Sequence, residues 1–483
     1  MSHSTKLVSS FFLVLLFLYL PSFASYDKLS DFLKTQKETI LISKSFLLDR
    51  NLSLTKPVLV TQNGCITQGG RYKLEISASF SAPIKQVFKG FLPNEVVFSP
   101  HSVKEVYPQW WGAKGNGIED DYIPLQSAID SACQTIFLLK GRYRFTKPLN
   151  VTNRPHGLNL IGQGQSENGS ILIGDTGGIA VDASGSRYLH FANFAIVAGD
   201  ENPSTVGILF SRTKKVGFVE FNNIENVRVQ MRSDGKANNR NGTVAIYNNA
   251  GELWRARNIY LIADNPLVFT GYNIFRIDSP FTKREEAYVS MSECTVDGAS
   301  TLHAFLGPAI TVDNGDTIEV INAYLTRSGE GGFPYAIKVA GFWALNLTYT
   351  GHIEGFSRFL YTDVSNLVGC YFRATLYQNG EPLIYLEGNK ERPSLLSCEI
   401  NLIPEPTSKP SCLIYGKGKV AVNHNRIWVY MGQSVECAEG EFLGNIVQAI
   451  DEKPSIKVNQ NNCSYLLISP RESKWIGSAQ MSK

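Results

Sequence analysis

Between residues 193 and 349 one short pattern returns five times: Asn193-Phe-Ala-Ile196, Asn226-Val-Arg-Val229, Asn258-Ile-Tyr-Leu261, Asn322-Ala-Tyr-Leu325 and Asn346-Leu-Thr-Tyr349. Glu293-Cys-Thr-Val296, Gly369-Cys-Tyr-Phe372 and Ser397-Cys-Glu-Ile400 read as variants filling the gaps, and Gly157-Leu-Asn-Leu160 extends the series upstream. From 193 the steps are 33, 32, 35, 29, 24, 23 and 28 residues. A second marker keeps pace: an apolar strand opens near Gly178, Gly207, Pro266, Pro308, Tyr335, Arg358 and Pro382. Units of this length, with several short strands and no helical periodicity, fit one coil of a parallel β-helix. A lone coil cannot bury its inner face, whereas coils stacked about 4.8 Å apart share a continuous core. Asn at the bend tolerates left-handed backbone, and its amide can bond to the Asn of the next coil. The expected fold is all-β, a right-handed parallel β-helix over 157–470 with a tail at 471–483.

Upstream, residues 25–105 alternate in short runs such as Leu74-Glu-Ile-Ser-Ala and read as a small β-rich lead-in. Residues 106–156 form a separate segment whose helical signal lies in Asp120–Cys133. There Leu125, Ile129 and Cys133 share one face, and Asp120 or Asp121 can cap the start. This helix is expected to lid the first coil of the stack, with the two carboxylates as caps rather than catalysts.

Lys6, the apolar run Phe11–Leu20 and the small-residue exit at Ala24 have the form of a secretory signal peptide, 1–24. The run is shorter than the roughly 20 residues that span a bilayer, and no later stretch is long enough. The mature protein is therefore expected to be secreted, periplasmic or held at the cell surface. Lys+Arg 46 against Asp+Glu 43 leaves +3, which excludes a strong field for nucleic acid. Eight cysteines in 483 residues are too few for a disulfide scaffold, and none has zinc-ligand spacing. Cys294, Cys370, Cys398 and Cys463 are expected as buried thiols in the first inward slot after the bend. No cofactor or metal motif is present, and a calcium requirement is left open.

Trp111-Gly112-Ala113-Lys114-Gly115-Asn116-Gly117, Asp120-Asp121, the helix Gln126–Ala132 and Gly141-Arg142-Tyr143 together resemble the entry segment of the pectate-lyase-3 group of the pectin-lyase-like superfamily. The likeness covers 107–149. Asn116, Tyr122 and Leu139 stand where that group usually has Asp, Thr and Pro. The resemblance implies a β-helix that acts on or binds polysaccharide, without fixing one reaction. The signatures of polygalacturonases and of the better-known pectate lyases are missing, and Gly351-His352-Ile353-Glu354-Gly355 is at most an echo.

Site residues must then come from strand alternation. The strand opening each unit turns Ile337/Val339, Leu360/Thr362 and Ile384/Leu386 inward. Lys338, Tyr361 and Tyr385 then form one outward column. Asp363 and Glu387 form a second, with Thr311 and Asp313 one coil before and Tyr415 and Lys417 one coil after. Tyrosine rings suit the apolar faces of sugars. Asp363 and Glu387, about 5 Å apart, match a retaining-glycosidase spacing, and Asp313 sits at the upper edge of an inverting one. The expected catalytic residues are Asp363, Glu387 and Asp313, with Tyr361, Tyr385, Lys338 and Tyr415 holding the glycan. A fallback face after the bend carries His352, Glu354, Tyr371, Arg373 and Glu399, a base-and-cation set suited to a metal-free lyase. Three readings follow: a secreted hydrolase or lyase of acidic polysaccharide, a non-catalytic glycan-binding surface protein, or a tailspike-like depolymerase. Oligomeric state is not legible.

Overall fold

The computed structural model describes residues 27–213, 219–232, 242–249, 251–270, 291–328, 333–363, 366–376, 382–388, 392–404, 412–430, 433–450, 454–458, 463–469 and 473–477. The expected signal peptide lies outside these residues.

The chain is a right-handed parallel β-helix with three strands per coil. Strands such as Tyr371–Leu376 and Glu399–Pro404 form the second sheet, and the strands that open each unit form the third, one inward row of which runs Val181, Ile208, Ile246, Leu267, Ile310, Ile337, Leu360, Ile384, Ile414, Val435, Ile456, each the register partner of the next. Within this sheet the strand pairs are parallel, so every inward side chain meets the same kind of residue above and below. The last strand, Ser473–Gly477, turns back antiparallel on Cys463–Ile468.

The expected bend column exists. Asn226 Nδ2 donates to Asn193 Oδ1 at 3.1 Å and Asn258 Nδ2 to Asn226 Oδ1 at 3.2 Å. All three Asn have left-handed backbone, φ 61°, 53° and 52°. The series is two columns rather than one, however. The first continues through Gly298 to Asn322, since Ala256, Val296 and Val320 are aligned just before them. The second runs beside it from Tyr188 through Phe221 and Leu253 to Thr317, and on through Asn346, Gly369, Ser397 and His424, all at positive φ. Both bends occur in the strand Ile310–Arg327, five residues apart, as they do at Tyr188 and Asn193, Phe221 and Asn226, and Leu253 and Asn258. Cys294 pairs with Ile318, the residue after Thr317, so it occupies the expected slot after the second bend, as Cys370 and Cys398 do, and Glu293 falls in the register of Leu253 and Thr317. Cys463 pairs with Phe442, ahead of the bend at Gly444.

Two expectations for the N-terminal third are corrected. The lead-in is itself coiled: its strands form three small parallel sheets, Asp27–Lys28 with Ser45–Leu48, Cys65–Gln68 and Phe88–Lys89; Ile40–Ile42 with Val58–Val60 and Phe80–Ser81; Leu52–Leu54 with Leu74–Ile76 and Val96–Phe98. One core cluster runs from Leu29 to Leu467. The helix, Tyr122–Ile129, thus lies within the stack and does not close its end. The end is covered by a shorter helix, Leu29–Leu33, with Phe32 stacked on Phe46 at 4.2 Å. The central helix stops at Ile129 rather than Cys133 because Asp130 leaves helical geometry and Ala132 turns left-handed, φ 62°.

The aspartate pair also divides its work differently. Asp121 stands at the cap position but makes no side-chain cap bond. Its carboxylate accepts the Lys114 and Gly115 backbone N–H groups at 2.7 and 2.9 Å, pinning the glycine-rich turn. Asp120 accepts the Tyr122 N–H, 3.0 Å, and ties the helix start to Thr146. Burial raises the Asp121 pKa despite its two N–H donors.

Candidate functional site

The third sheet's outward column is continuous in register: Thr311, Lys338, Tyr361, Tyr385, Tyr415, Glu436, Lys457. Upstream the same column is Leu209, Tyr247 and Val268, which are 3%, 9% and 7% exposed. One face thus changes from buried apolar to open aromatic along the axis. The open part carries the tyrosines because alternation keeps Leu360, Ile384 and Ile414 inward and leaves the residue after each to project out.

The rings form a ladder. Tyr361 and Tyr385 lie 5.7 Å apart at 50°, and Tyr385 and Tyr415 5.7 Å apart at 33°. Tyr335, read in the sequence as a unit opener and not as a site residue, is 3% exposed and backs both Tyr361 and Tyr385. Arg358 donates to its hydroxyl at 2.7 Å and lies over its ring. Phe333 meets Tyr361 edge-on, and the Lys338 ammonium lies 5.9 Å over the Phe333 ring. Tyr415 is 37% exposed and marks the open end.

Glu387 sits beside the ladder. It accepts the Tyr361 hydroxyl at 2.9 Å and pairs with the Lys417 ammonium at 3.1 Å. Lys417, its register partner one coil on, is therefore the charge that offsets the carboxylate column. Burial, the bond to Glu387 and the nearby Asp363 charge hold the Tyr361 phenol far above its ordinary pKa. Tyr385 shifts upward for like reasons, burial first. Both hydroxyls remain neutral donors at neutral pH. Asp363 follows Thr362 in the frame set by Thr362 and Leu386, which places it in the Glu387 column. Asp313 is corrected: it is 2% exposed, so it is a core polar residue and not the margin of an open face. Its partner one coil earlier, Thr270, is buried as well.

On the second sheet, Tyr371 and Glu399 share a column, as do Thr350, Arg373 and Asn401. His352 lies against Thr375 rather than Arg373. A shallow groove of about 330 Å³ nevertheless brings His352, Tyr371 and Arg373 together. Glu354 and Glu399 do not line it. Among the described residues no group of three His, Cys, Asp or Glu is placed to hold a metal ion. Nor is any helix among them long and apolar enough to cross a membrane.

No family model matches the chain, and no curated protein matches it. The likeness of 107–149 to the pectate-lyase-3 group thus rests on its residues alone. Among solved structures, the gp42 tailspike of Acinetobacter phage AS12 is 13% identical, over 82% of this chain and 68% of that one, with a TM-score of 0.44. The A-module of the mannuronan C-5 epimerase AlgE6 of Azotobacter vinelandii is 12% identical, over 75% and 98%, TM-score 0.35. ORF18 of Geobacillus virus E2 is 13% identical over 77% of this chain, which spans only 63% of that one, TM-score 0.33. At these identities what is shared is the β-helix fold.

Proposed function

We propose that this is an exported polysaccharide-binding protein whose working face is the tyrosine ladder of the third sheet. The observation that carries the reading is that Tyr361, Tyr385 and Tyr415 occupy one outward column in three adjacent coils, with Lys338 before them and the Glu387–Lys417 pair beside them. Such a strip offers ring surface for sugar C–H faces, and fixed donors and acceptors for hydroxyls and carboxylates. Buried Tyr335 holds the rings in place before any ligand arrives, which lowers the ordering cost of binding. The test is affinity for a panel of pectin, alginate and glycosaminoglycan oligosaccharides. Tyr385→Ala and Tyr415→Ala should each weaken the best binder about tenfold or more. Undiminished binding in both would remove the ladder from the reading.

A second reading, hydrolysis by Asp363 and Glu387, is favoured by one observation: the register of Thr362 with Leu386 puts the two carboxylates in adjacent coils of one column. Glu387 is already paired with Lys417 and Tyr361, which suits it to charge stabilisation more than to proton donation. Release of reducing ends that disappears in Asp363→Asn and Glu387→Gln, with the fold intact, would establish this reading. Unsaturated products lost in His352→Ala or Arg373→Ala would move the chemistry to the second sheet.

A further inference from the structure

Four outward positions of successive coils stand in one register row: Arg142, Ile171, Ala195 and Arg228, each the partner of the next. Three coil steps, about 14 Å, separate the two arginines. Ile171 and Ala195 face out, since their neighbours Leu172 and Ile196 belong to the main core, yet both are fully buried. With Ile173, and with Val197 packed against them, they form an apolar cluster of their own on the outside of the stack. What closes over the row is ionic. Glu167 pairs with Arg142 at 3.2 Å and with Arg228 at 2.7 Å, so one carboxylate bridges both ends. Neither arginine has another carboxylate partner among the described residues. Across an adjoining cleft of about 390 Å³, Arg144 is held by Asp175 and Glu201, and Arg232 by Asp264.

The bridging carboxylate is carried on a loop tied at a narrow neck. The Ser170 N–H donates to the Gly164 carbonyl at 3.0 Å, and a Cβ on Gly169 would meet that carbonyl oxygen at 2.0 Å. Gly164 has φ 131° and open space around it, a hinge that other residues adopt only under strain. Beyond the neck Ser166, Glu167 and Asn168 are exposed. Closure leaves Gln165 Oε1 and Arg228 Nε buried without a hydrogen-bond partner among the described residues. Such an atom costs at least as much as an exposed ion pair contributes, so the closed position is held by a narrow margin.

We propose that residues 165–168 are a strap latched by Glu167, whose release uncovers Ile171 and Ala195 and joins them to the Ile173 and Val197 side of the cleft. The latch is worked by charge, so salt that screens the two pairs loosens it. It is separate from the tyrosine ladder and does not depend on what the ladder binds.

Hydrogen exchange of the full chain at pH 7, with Nile red as a neutral probe of apolar surface, tests this. In Glu167→Gln the segment 162–170 should exchange about fivefold faster than in the parent, the effect of losing two exposed ion pairs. Arg142→Gln should give a smaller increase, and adding it to Glu167→Gln should change nothing further. Molar salt should reproduce the effect in the parent and leave Glu167→Gln unmoved. Nile red emission should rise with the exchange rate. Glu167 and Arg142 are both exposed, so the strands Leu189–Ala198 and Asn223–Gln230 should keep the parent's protection. Unchanged exchange at 162–170, or faster exchange with no rise in Nile red, would overturn the proposal. So would acceleration shared by those two strands, which would make Glu167 a contact of the whole stack and not a latch.

Discussion

The Tyr361 phenol donates to Glu387 Oε2 across one coil, at 2.9 Å. This bond ties the aromatic column to the carboxylate column, so ring orientation and local charge are set together. Tyr361→Phe keeps the ring and removes the bond. It should cost about 1 kcal/mol of stability, read from denaturant unfolding. No shift in the unfolding midpoint would mean that solvent replaces the bond without loss.

The asparagine ladder makes a second prediction. Asn226 both donates to Asn193 and accepts from Asn258, at φ 53°. Asn226→Ala loses both bonds and puts alanine, which tolerates left-handed backbone less well than asparagine, at this position, for a cost of about 2 kcal/mol. Asn226→Gly loses the bonds alone and should be the milder change. The reverse order of stabilities would show that backbone strain is not part of the cost.

Acid should weaken a cross-coil contact at Glu167. Its carboxylate pKa is lowered, first by the hydrogen bond from Arg228, against desolvation as the next largest effect, and then by that guanidinium's charge and by Arg142. A lowered folded pKa contributes stability that is present above the unfolded value of about 4.3 and is lost as pH falls through the folded one. The stability gap between the parent and Glu167→Gln should therefore narrow from pH 7 to pH 3. Added salt should shrink it at pH 7, because the carboxylate is largely exposed. A gap independent of pH would refute this.

The thiols give a fourth test. All eight cysteines are free, and Cys65 alone is not buried. Burial pushes the Cys437 thiol up to about 12. A thiol reagent acts on the thiolate, so in native protein Cys65 should react first and the buried set slowly. In denaturant without reductant all eight should titrate. A deficit of two would indicate a bridge between Cys370 and Cys398, neighbours in adjacent coils.

The coil repeat and the outward columns were legible because strand alternation and stacking are both encoded locally. Lys338, Tyr361, Tyr385 and Tyr415 fall in one column as their spacing from Ile337, Leu360, Ile384 and Ile414 requires. That two bend columns run side by side was not legible. The Asn of the first announces itself, whereas Tyr188, Phe221, Leu253 and Thr317 of the second do not. Asp297-Gly298 was a turn signal that could have filled the first column between Asn258 and Asn322. Burial of Asp313 depends on what covers the outer face of its sheet, which alternation does not report. The lead-in coils escaped notice because their strands are only two to four residues long, too short to show a period. Tyr335 and Arg358 open successive units and are register partners, but their packing against the ladder is not reported by alternation.

The three leading coils share a core with everything after them. They are also synthesised before the coils that follow them. A solenoid grows by adding one unit to the unit before it, and domains fold N-terminal first during synthesis. The coils over 27–98 can thus serve as a winding seed. Each later coil would find a finished sheet edge waiting in register and would need to search only for its own two neighbours.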